Sequence, residues 1–282
     1  MRRTPLLLCL TALAGAAGAS ALSAQGVLIA PTTIIIDSRV RSAELQINNP
    51  GDNPVEVSVG DVFFGYPVTD SAGKFDLRTV AAPDSTMPSA AGWLQAYPRI
   101  VTLGGREHQV VRLLARAPNG LKDGEYWARL VVSARSQPPA TTGPVDSSGV
   151  SVGLNLEVRT VLPVLFRKGA MSTGVRIDSL SLTRVEGDSL EFHARLTRTG
   201  NAAYIGQIRT AVVDSTGTVV ASSRSPIAVY FDMSPRGRMA CGKLPPGRYR
   251  LRFELSTDRD DIPPNERVSA APVSDSVEVR LP

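Results

Sequence analysis

The sequence is poor in the side chains that carry most protein chemistry. Its 282 residues include only two cysteines and two histidines. Cys9 lies in an N-terminal apolar stretch, so Cys241 is alone in the rest of the chain. If this N-terminal stretch is removed, the remaining chain can form no internal disulfide, and its fold must depend on an apolar core. We interpret Cys241 as a small buried hydrophobic residue, with an intermolecular disulfide as the alternative.

The two histidines, His108 and His193, are far apart in sequence, and each falls within an alternating strand pattern. They give neither a metal-ligand spacing nor a catalytic triad, and a surface or half-buried strand position is the simpler interpretation. No nucleophile elbow and no phosphate-binding glycine loop is present. The acidic run Asp258, Asp260 and Asp261 lacks the spacing of a calcium loop and indicates a solvated turn. The sequence therefore predicts a protein that is not an enzyme and has no cofactor and no metal site.

The charge and hydropathy patterns bear on whether the protein binds nucleic acid, is exported or spans a membrane. The formal net charge is +5, and the basic residues are scattered rather than clustered, which argues against nucleic-acid binding. Residues 1–24 combine Arg2 and Arg3 with an apolar stretch and small residues, the pattern of a secretory signal peptide cleaved after Ala24. An uncleaved membrane anchor is the alternative, although the stretch is short and rich in alanine and glycine. No later segment is predicted to span a membrane.

Alternating apolar and polar residues dominate the rest of the chain, and no helical stripe exceeds two turns. Together with residues 150–166, the strand patterns predict a seven-stranded immunoglobulin-like sandwich over residues 25–167. Residues 168–174 are predicted to form a hinge, and further strand patterns predict a second β-sandwich over residues 175–282. The expected fold is all-β, with two immunoglobulin-like β-sandwich domains in tandem. The other predicted strands of the first sandwich are 27–37, 43–50, 54–64, 99–105, 108–118 and 126–135.

Residues 150–166 form the longest of these patterns. An apolar residue occupies every second position from Val150 to Phe166, and only Thr160 interrupts the row. At about 3.3 Å per residue such a strand would extend roughly 50 Å, whereas ordinary strands have about 5–6 residues. Two hypotheses explain this length. The whole strand fills the core of its own sandwich, or one end fills the core while the other end is offered to a partner as an added strand.

Several segments of the first sandwich resemble the PapD-like periplasmic chaperones of pilus assembly. In that family, the seventh strand of the first domain completes a pilus subunit that lacks its own last strand. The resemblance implies that Val152, Leu154, Leu156 and Val158 are the side chains that bind the client. The segments that carry it are VLIAPTTIIID (27–37), SAELQINNPGDNPVEV (42–57), PRIVTLGGREHQVVRLLARAP (98–118), DGEYWARLVV (123–132) and VLPVLFRKG (161–169).

The sequence departs from this family at two positions. The family's basic pair, which holds the client's terminal carboxylate in the cleft between the domains, falls on Thr33 and Pro163. Neither can supply a cation, and Pro163 is expected to interrupt the ladder of its strand. Arg167 matches a family arginine near the domain junction and is expected to pair with an acid such as Glu125, with a solvated strand end as the alternative.

The resemblance implies a chaperone in the periplasm that binds and stabilises pilin-like or fimbrial subunits through its long seventh strand. It also allows an outer-membrane usher as a second partner. The alternative is an exported immunoglobulin-like structural or protein-interaction protein without subunit-assembly activity. The missing cleft cations at Thr33 and Pro163 favour that alternative.

Overall fold

The structure, a computed structural model, describes residues 26–136, 156–185 and 188–281. The predicted signal peptide and nearly all of the proline-rich segment 136–149 lie outside the described residues. The described chain is almost entirely β-structure, and it forms two β-sandwiches, so the fold class predicted from the sequence is confirmed. Helical structure in these ranges is limited to short 3₁₀ turns at Ala91–Trp93 and Pro264–Glu266. None of the helical segments there has the length and hydropathy of a bilayer-spanning helix.

In the described ranges, the first sandwich contains ten strands. These are β1 Leu28–Ala30, β2 Ile34–Asp37, β3 Ser42–Asn48, β4 Val55–Thr69, β5 Phe75–Val80, β6 Leu94–Tyr97, β7 Ile100–Leu103, β8 His108–Ala115, β9 Gly124–Ser136 and β10 Glu157–Lys168. One sheet has the order β1-β3-β8-β6. The other has the order β2-β10-β9-β4-β5, and β7 also pairs with β4. The inward side chains of the two sheets form one apolar core, as expected for strands with one apolar face.

The segment predicted as a single strand over residues 27–37 is divided between the two sheets. Its first part, β1, pairs antiparallel with β3, whereas its second part, β2, runs parallel to β10. Residues 31–33 carry the chain across. Pro31 has no backbone N–H and cannot continue a ladder, which explains why the strand breaks here despite its continuous apolar pattern.

The described residues of the second sandwich form eight strands. These are β11 Thr173–Val185, β12 Ser189–Gly200, β13 Tyr204–Val213, β14 Val219–Val229, β15 Asp232–Met233, β16 Arg236–Ala240, β17 Gly247–Ser256 and β18 Val273–Leu281. One sheet has the order β11-β12-β15, with β16 also pairing with β12, and the other has the order β14-β13-β17-β18. Phe192 and Phe253 meet in the core at a ring-centroid distance of 5.4 Å. The short strands β15 and β16 were not predicted, because they contain too few residues to show a period.

The two sandwiches pack directly against each other through an aromatic cluster. The Trp127 ring of the first sandwich lies 4.6 Å from the ring of Tyr230 and 5.4 Å from that of Phe231, both in the second. Tyr66, on the long strand β4, lies 4.7 Å from Phe231. These edge-to-face contacts are favourable aromatic geometries. The segment between β10 and β11, residues 169–172, connects the two sandwiches along the chain.

The hairpin of β4 and β5 forms a further connection between the sandwiches. β4 is 15 residues long, and its second half pairs with β5 rather than with β9. At the end of β4, the Thr69 hydroxyl accepts a hydrogen bond of 2.7 Å from the backbone N–H of Ser234 in the second sandwich. Gly73, at the hairpin tip, lies so close to Arg236 that a Cβ there would stand 2.3 Å from the arginine side chain. The hairpin therefore belongs to the first sandwich and also contacts the second.

Candidate functional site

Strand β10 has different neighbours along its length. Over Val164–Arg167 it lies between β2 and β9, and it pairs with both. Over Glu157–Pro163 it pairs with β9 on one side only, and no strand within the described ranges pairs with its other side. We call this side the free edge of β10. Among the described residues, no strand pairs with the backbone N–H and C=O groups on this side, and unpaired groups of this kind are where a strand can be added.

The apolar row predicted to bind a client is divided in the same way. Leu162, Val164 and Phe166 are buried in the core of the first sandwich. Leu156 is 47% exposed, and Val158 is half-buried outside the core cluster. The two remaining predicted client-binding residues, Val152 and Leu154, lie outside the described residues. The described part of the row thus changes from core packing to solvent exposure between Leu162 and Leu156.

The opposite face of this part of β10 carries charges held by ion pairs. The Glu157 carboxylate lies 2.9 Å from the Arg135 guanidinium on β9, and Arg159 lies 3.3 Å from Asp61 on β4. The hydrogen bond from Arg135 is the main reason why the pKa of Glu157 is lowered. Val161, the next residue on this face, is 40% exposed. The pairs hold this end of β10 to β9 and β4 while leaving the free edge open.

A cavity of about 280 Å³ lies between the sandwiches, at the point where the free edge ends. We call it the cleft cavity. Thr33 and Pro163, the two positions at which the sequence lacks the expected cleft cations, both line it, so the structure brings them together. The cleft cavity is also lined by Asp76, Arg129, Tyr230 and Arg259, among other residues.

Arg129 is the most buried of the charged residues that line the cleft cavity. It is 6% exposed, its Nε donates a hydrogen bond of 2.9 Å to the Gly65 carbonyl, and its guanidinium lies 5.0 Å from the centre of the Tyr230 ring. Burial raises the pKa of Tyr230, so its hydroxyl stays protonated. Arg129 forms no ion pair with a carboxylate in the part of the chain that the structure describes. Arg129 was not predicted from the sequence. Its position between Trp127 and Val131, in an otherwise apolar strand, could have marked it as a buried charge.

Arg259 faces the cleft cavity from the second sandwich and differs from Arg129 in its partners. Its guanidinium makes two hydrogen bonds to Asp261, of 2.7 and 2.6 Å, and contacts the Gly206 carbonyl at 3.3 Å. Asp260, from the same acidic run, lies 3.1 Å from Arg224. These acids therefore form ion pairs. No group of three histidine, cysteine or acidic side chains within the described ranges could hold a metal ion.

Arg167 lies buried at the junction of the sandwiches. Its Nε donates a hydrogen bond of 2.8 Å to Glu125, and its Nη1 donates to the Glu266 carbonyl of the second sandwich. The other Glu125 oxygen accepts from the Trp127 indole at 2.9 Å and from the Ala203 backbone N–H at 3.1 Å. Arg167 thus pairs with Glu125 and is not a solvated strand end. The pair joins groups from both sandwiches.

The expected interruption of the ladder at Pro163 is not found on the β9 side. Pairing between β10 and β9 continues in register through Pro163, which lies opposite Arg129. Pairing with β2 begins one residue later, at Val164. The missing N–H of Pro163 therefore coincides with the boundary between the two-sided part of β10 and its free edge.

The other residues considered from the sequence form no site together. His108 is exposed on β8, and His193 is half-buried on β12 in the other sandwich. Cys241 is half-buried rather than buried, and its thiol donates a hydrogen bond of 3.4 Å to the Met239 carbonyl. Burial raises the pKa of this thiol, which keeps it in the less reactive neutral form.

No protein-family model matches the chain, and no curated protein matches it. Among solved structures, the chain is similar to the Pseudomonas aeruginosa CupB2 chaperone, with 11% identity, a TM-score of 0.39, and coverage of 90% of this chain and 100% of that one. It is similar to the YadV chaperone, with 16% identity, a TM-score of 0.43, and coverage of 90% and 99%. It is also similar to a chain of the CsuC–CsuE chaperone–tip adhesion subunit complex of Acinetobacter baumannii, with 13% identity, a TM-score of 0.43, and coverage of 90% and 97%.

Proposed function

We propose that the protein is an exported chaperone that binds pilin-like or fimbrial subunits by lending β10 to them as an additional strand. The free edge of β10 is the observation that carries this proposal. A single strand that is locked into its own sandwich at one end and open at the other can serve two bodies at once. Its backbone supplies hydrogen bonds, and its alternate side chains enter the groove of the partner.

The side chains next to the free edge fit this role. Leu156 and Val158 continue the apolar row but are not used by the core of the first sandwich. Burial in a partner would contribute about 1.5–3 kcal/mol for each fully covered side chain. We propose that Val152 and Leu154 extend the same contact.

Other parts of the proposal rest on the sequence. The signal-peptide pattern of residues 1–24 supports export, and we propose the periplasm as the compartment. The resemblance of the strand segments to pilus chaperones supplies the class of client and the outer-membrane usher as a second partner. We propose no catalytic role, because the sequence contains only two histidines, far apart along the chain, and no nucleophile-elbow motif.

The test is co-expression with a pilus subunit that lacks its last strand, followed by isolation of the complex. Changing Leu156 and Val158 together to Asp is expected to abolish the complex, because a charge would enter an apolar groove. Thermal unfolding of the double variant is expected to change little.

Leu114→Asp provides the matched control. Leu114 is also an apolar strand residue with partial exposure, but it lies on β8 in the other sheet. This variant is expected to retain the complex. A double variant that still binds the subunit as wild type does would refute the proposed use of β10.

A second candidate function is an exported interaction protein without assembly activity. Thr33 and Pro163 favour it, because neither can bind a carboxylate through a positive charge. This candidate predicts that no subunit with an incomplete sandwich forms a complex with the protein, and the co-expression experiment distinguishes the two.

A further inference from the structure

The outer side of β17 and β18, in the second sandwich, carries a group of arginines. Alternate residues of β17 are buried in the core of that sandwich, so the residues between them point outward. The pairing of the two strands brings together basic residues that are scattered in the sequence. Four exposed arginines lie on this outer side, and we call them the arginine face: Arg248, Arg250 and Arg252 on β17, and Arg280 on β18.

The charge of the arginine face is only partly balanced. Glu278 lies opposite Arg250 in the β17–β18 register and accepts a hydrogen bond of 3.1 Å from its Nε. This hydrogen bond is the main reason why the pKa of Glu278 is lowered, and the charge of Arg248 contributes to the lowering. Within the described residues, Arg252 and Arg280 form no ion pair. The arginine face therefore carries an excess of positive charge.

Two of these arginines are placed unfavourably toward each other. Arg248 and Arg280 lie directly opposite in the β17–β18 register, and like charges in this arrangement destabilise a sheet. The same sheet shows the favourable arrangement elsewhere, because Arg209 on β13 lies opposite Glu254 at 3.6 Å. An anion from outside the chain would offset the repulsion between Arg248 and Arg280.

The arginine face lies away from the cleft cavity. Ile205, near the start of β13, lines the cleft cavity, whereas Val213, at the end of β13, lies opposite Arg250. Eight residues separate these two positions, which corresponds to roughly 27 Å along an extended strand. A partner bound to the arginine face therefore does not have to cover the cleft cavity or the free edge of β10.

From this charge excess and its position we infer that the arginine face binds the surface of an anionic lipid bilayer. Side chains stand roughly perpendicular to a sheet, so the four guanidinium groups form a layer that can meet several lipid phosphates at once. The planar guanidinium binds phosphate through two parallel hydrogen bonds. The inference goes beyond the proposed function and does not depend on it.

The composition of the arginine face favours a lipid surface over a protein partner. Stable protein interfaces depend on a few large apolar or aromatic side chains that become buried. None of the large exposed hydrophobic residues in the described chain belongs to β17 or β18. A bilayer with anionic headgroups needs no such anchor, because attraction between its surface charge and basic residues is sufficient for reversible binding.

The experiment measures co-sedimentation of the protein with lipid vesicles. The protein begins at Gln25, because the apolar stretch of the predicted signal peptide would itself bind lipid. One set of vesicles is phosphatidylcholine alone, and the other contains about one third phosphatidylglycerol. At about 50 mM salt the wild type is expected to bind the anionic vesicles about tenfold more tightly or better. At about 0.5 M salt this preference should disappear, because the charges are screened.

The variant changes Arg248, Arg252 and Arg280 together to Gln. It is expected to bind the anionic vesicles about tenfold more weakly or worse, because each basic residue near an anionic surface adds to the attraction. Arg250 is kept, since it pairs with Glu278. The three changed side chains are exposed, so the midpoint of thermal unfolding should stay within about 2 °C of wild type.

A second triple variant is the matched control, with Arg78, Arg116 and Arg195 changed to Gln. These arginines are also exposed but lie outside the sheet that contains β17 and β18. The control loses the same net charge, and it should keep most of the affinity for anionic vesicles.

Three outcomes would overturn the inference. The first is equal binding of the wild type to the neutral and the anionic vesicles, and the second is an equal loss of affinity in the two triple variants. The third is a wild type that binds neither kind of vesicle but binds immobilised polyglutamate through the same three arginines. That result would assign the arginine face to an acidic protein instead of a lipid surface.

Discussion

The two ends of β10 have the same sequence pattern but different surroundings. Its C-terminal part, Leu162–Lys168, places alternate side chains in the core of the first sandwich, and over Val164–Arg167 it lies between β2 and β9. Its N-terminal part, Glu157–Val161, has one neighbouring strand and carries exposed apolar side chains. Alternation of apolar and polar residues predicts which face of the sheet a side chain occupies. It does not predict whether the backbone of that strand pairs with a neighbour on both sides. The proposed function depends on this second property.

The largest expected effect is a difference in stability between two variants of β10, each with one apolar residue changed to Asp. Leu162→Asp places a carboxylate at a side chain that is 4% exposed and should unfold the first sandwich or destabilise it by several kcal/mol. Val158→Asp should cost less than about 1 kcal/mol, because that side chain lies outside the core. Urea unfolding followed by tryptophan fluorescence measures both. Equal losses for the two variants would mean that both parts of β10 serve the core in the same way.

A second test concerns the C-terminal end of the buried part. Arg167→Met removes the cation that pairs with the fully buried Glu125 side chain. Breaking such a pair leaves an uncompensated charge and is expected to cost about 3–5 kcal/mol. The double variant Arg167→Met, Glu125→Gln should recover part of this loss, because no charge then remains in the pair. A double variant less stable than the single one would contradict this account.

Acid should loosen the N-terminal part of β10 before it affects the rest. The pKa of Glu157 is lowered in the folded protein, chiefly by the hydrogen bond from Arg135. The support given by this pair is therefore complete above the usual value of 4.5 and is lost as the pH falls through the lower folded pKa. The effect is small because the pair is exposed. The measurement uses whichever of the Val158 and Arg159 amides points toward β9. Its hydrogen-exchange protection factor, which corrects for the slower intrinsic exchange in acid, should fall at low pH in the wild type.

Glu157→Gln is the control for that measurement. In this variant the protection factor of the same amide should already be lower at neutral pH and should show no further acid-dependent decrease. Amides of Val164 and Leu165, which lie between two strands, should stay protected throughout. The same acid-dependent step in the variant would show that another group controls the loosening.

Alternation was sufficient to predict the long strands of both sandwiches, because these strands have one face toward a core. It was not sufficient where the backbone departs from a regular ladder. The break of residues 27–37 between two sheets and the short strands β15 and β16 depend on proline geometry and on neighbours that the local pattern does not contain.

The site was predicted less completely than the fold, for a related reason. Thr33 and Pro163 were named from the sequence, and the structure places both at the cleft cavity. Arg129 was not predicted. Two features distinguish it: its contact with the Tyr230 ring and the absence of a paired carboxylate among the described residues. Both are properties of the tertiary structure, which the local sequence does not contain. The use of Val152, Leu154, Leu156 and Val158 by a client stays a prediction.

The hairpin of β4 and β5 has a consequence for how a partner is received. The chain connects the sandwiches through residues 169–172, and the Thr69–Ser234 hydrogen bond adds to the contacts of the aromatic cluster and of Arg167 with the Glu266 carbonyl. Because several separate contacts join them, the two sandwiches have little freedom to change the width of the cleft between them. A partner that binds in this cleft does not have to immobilise two mobile domains, so less of its binding free energy is lost as conformational entropy.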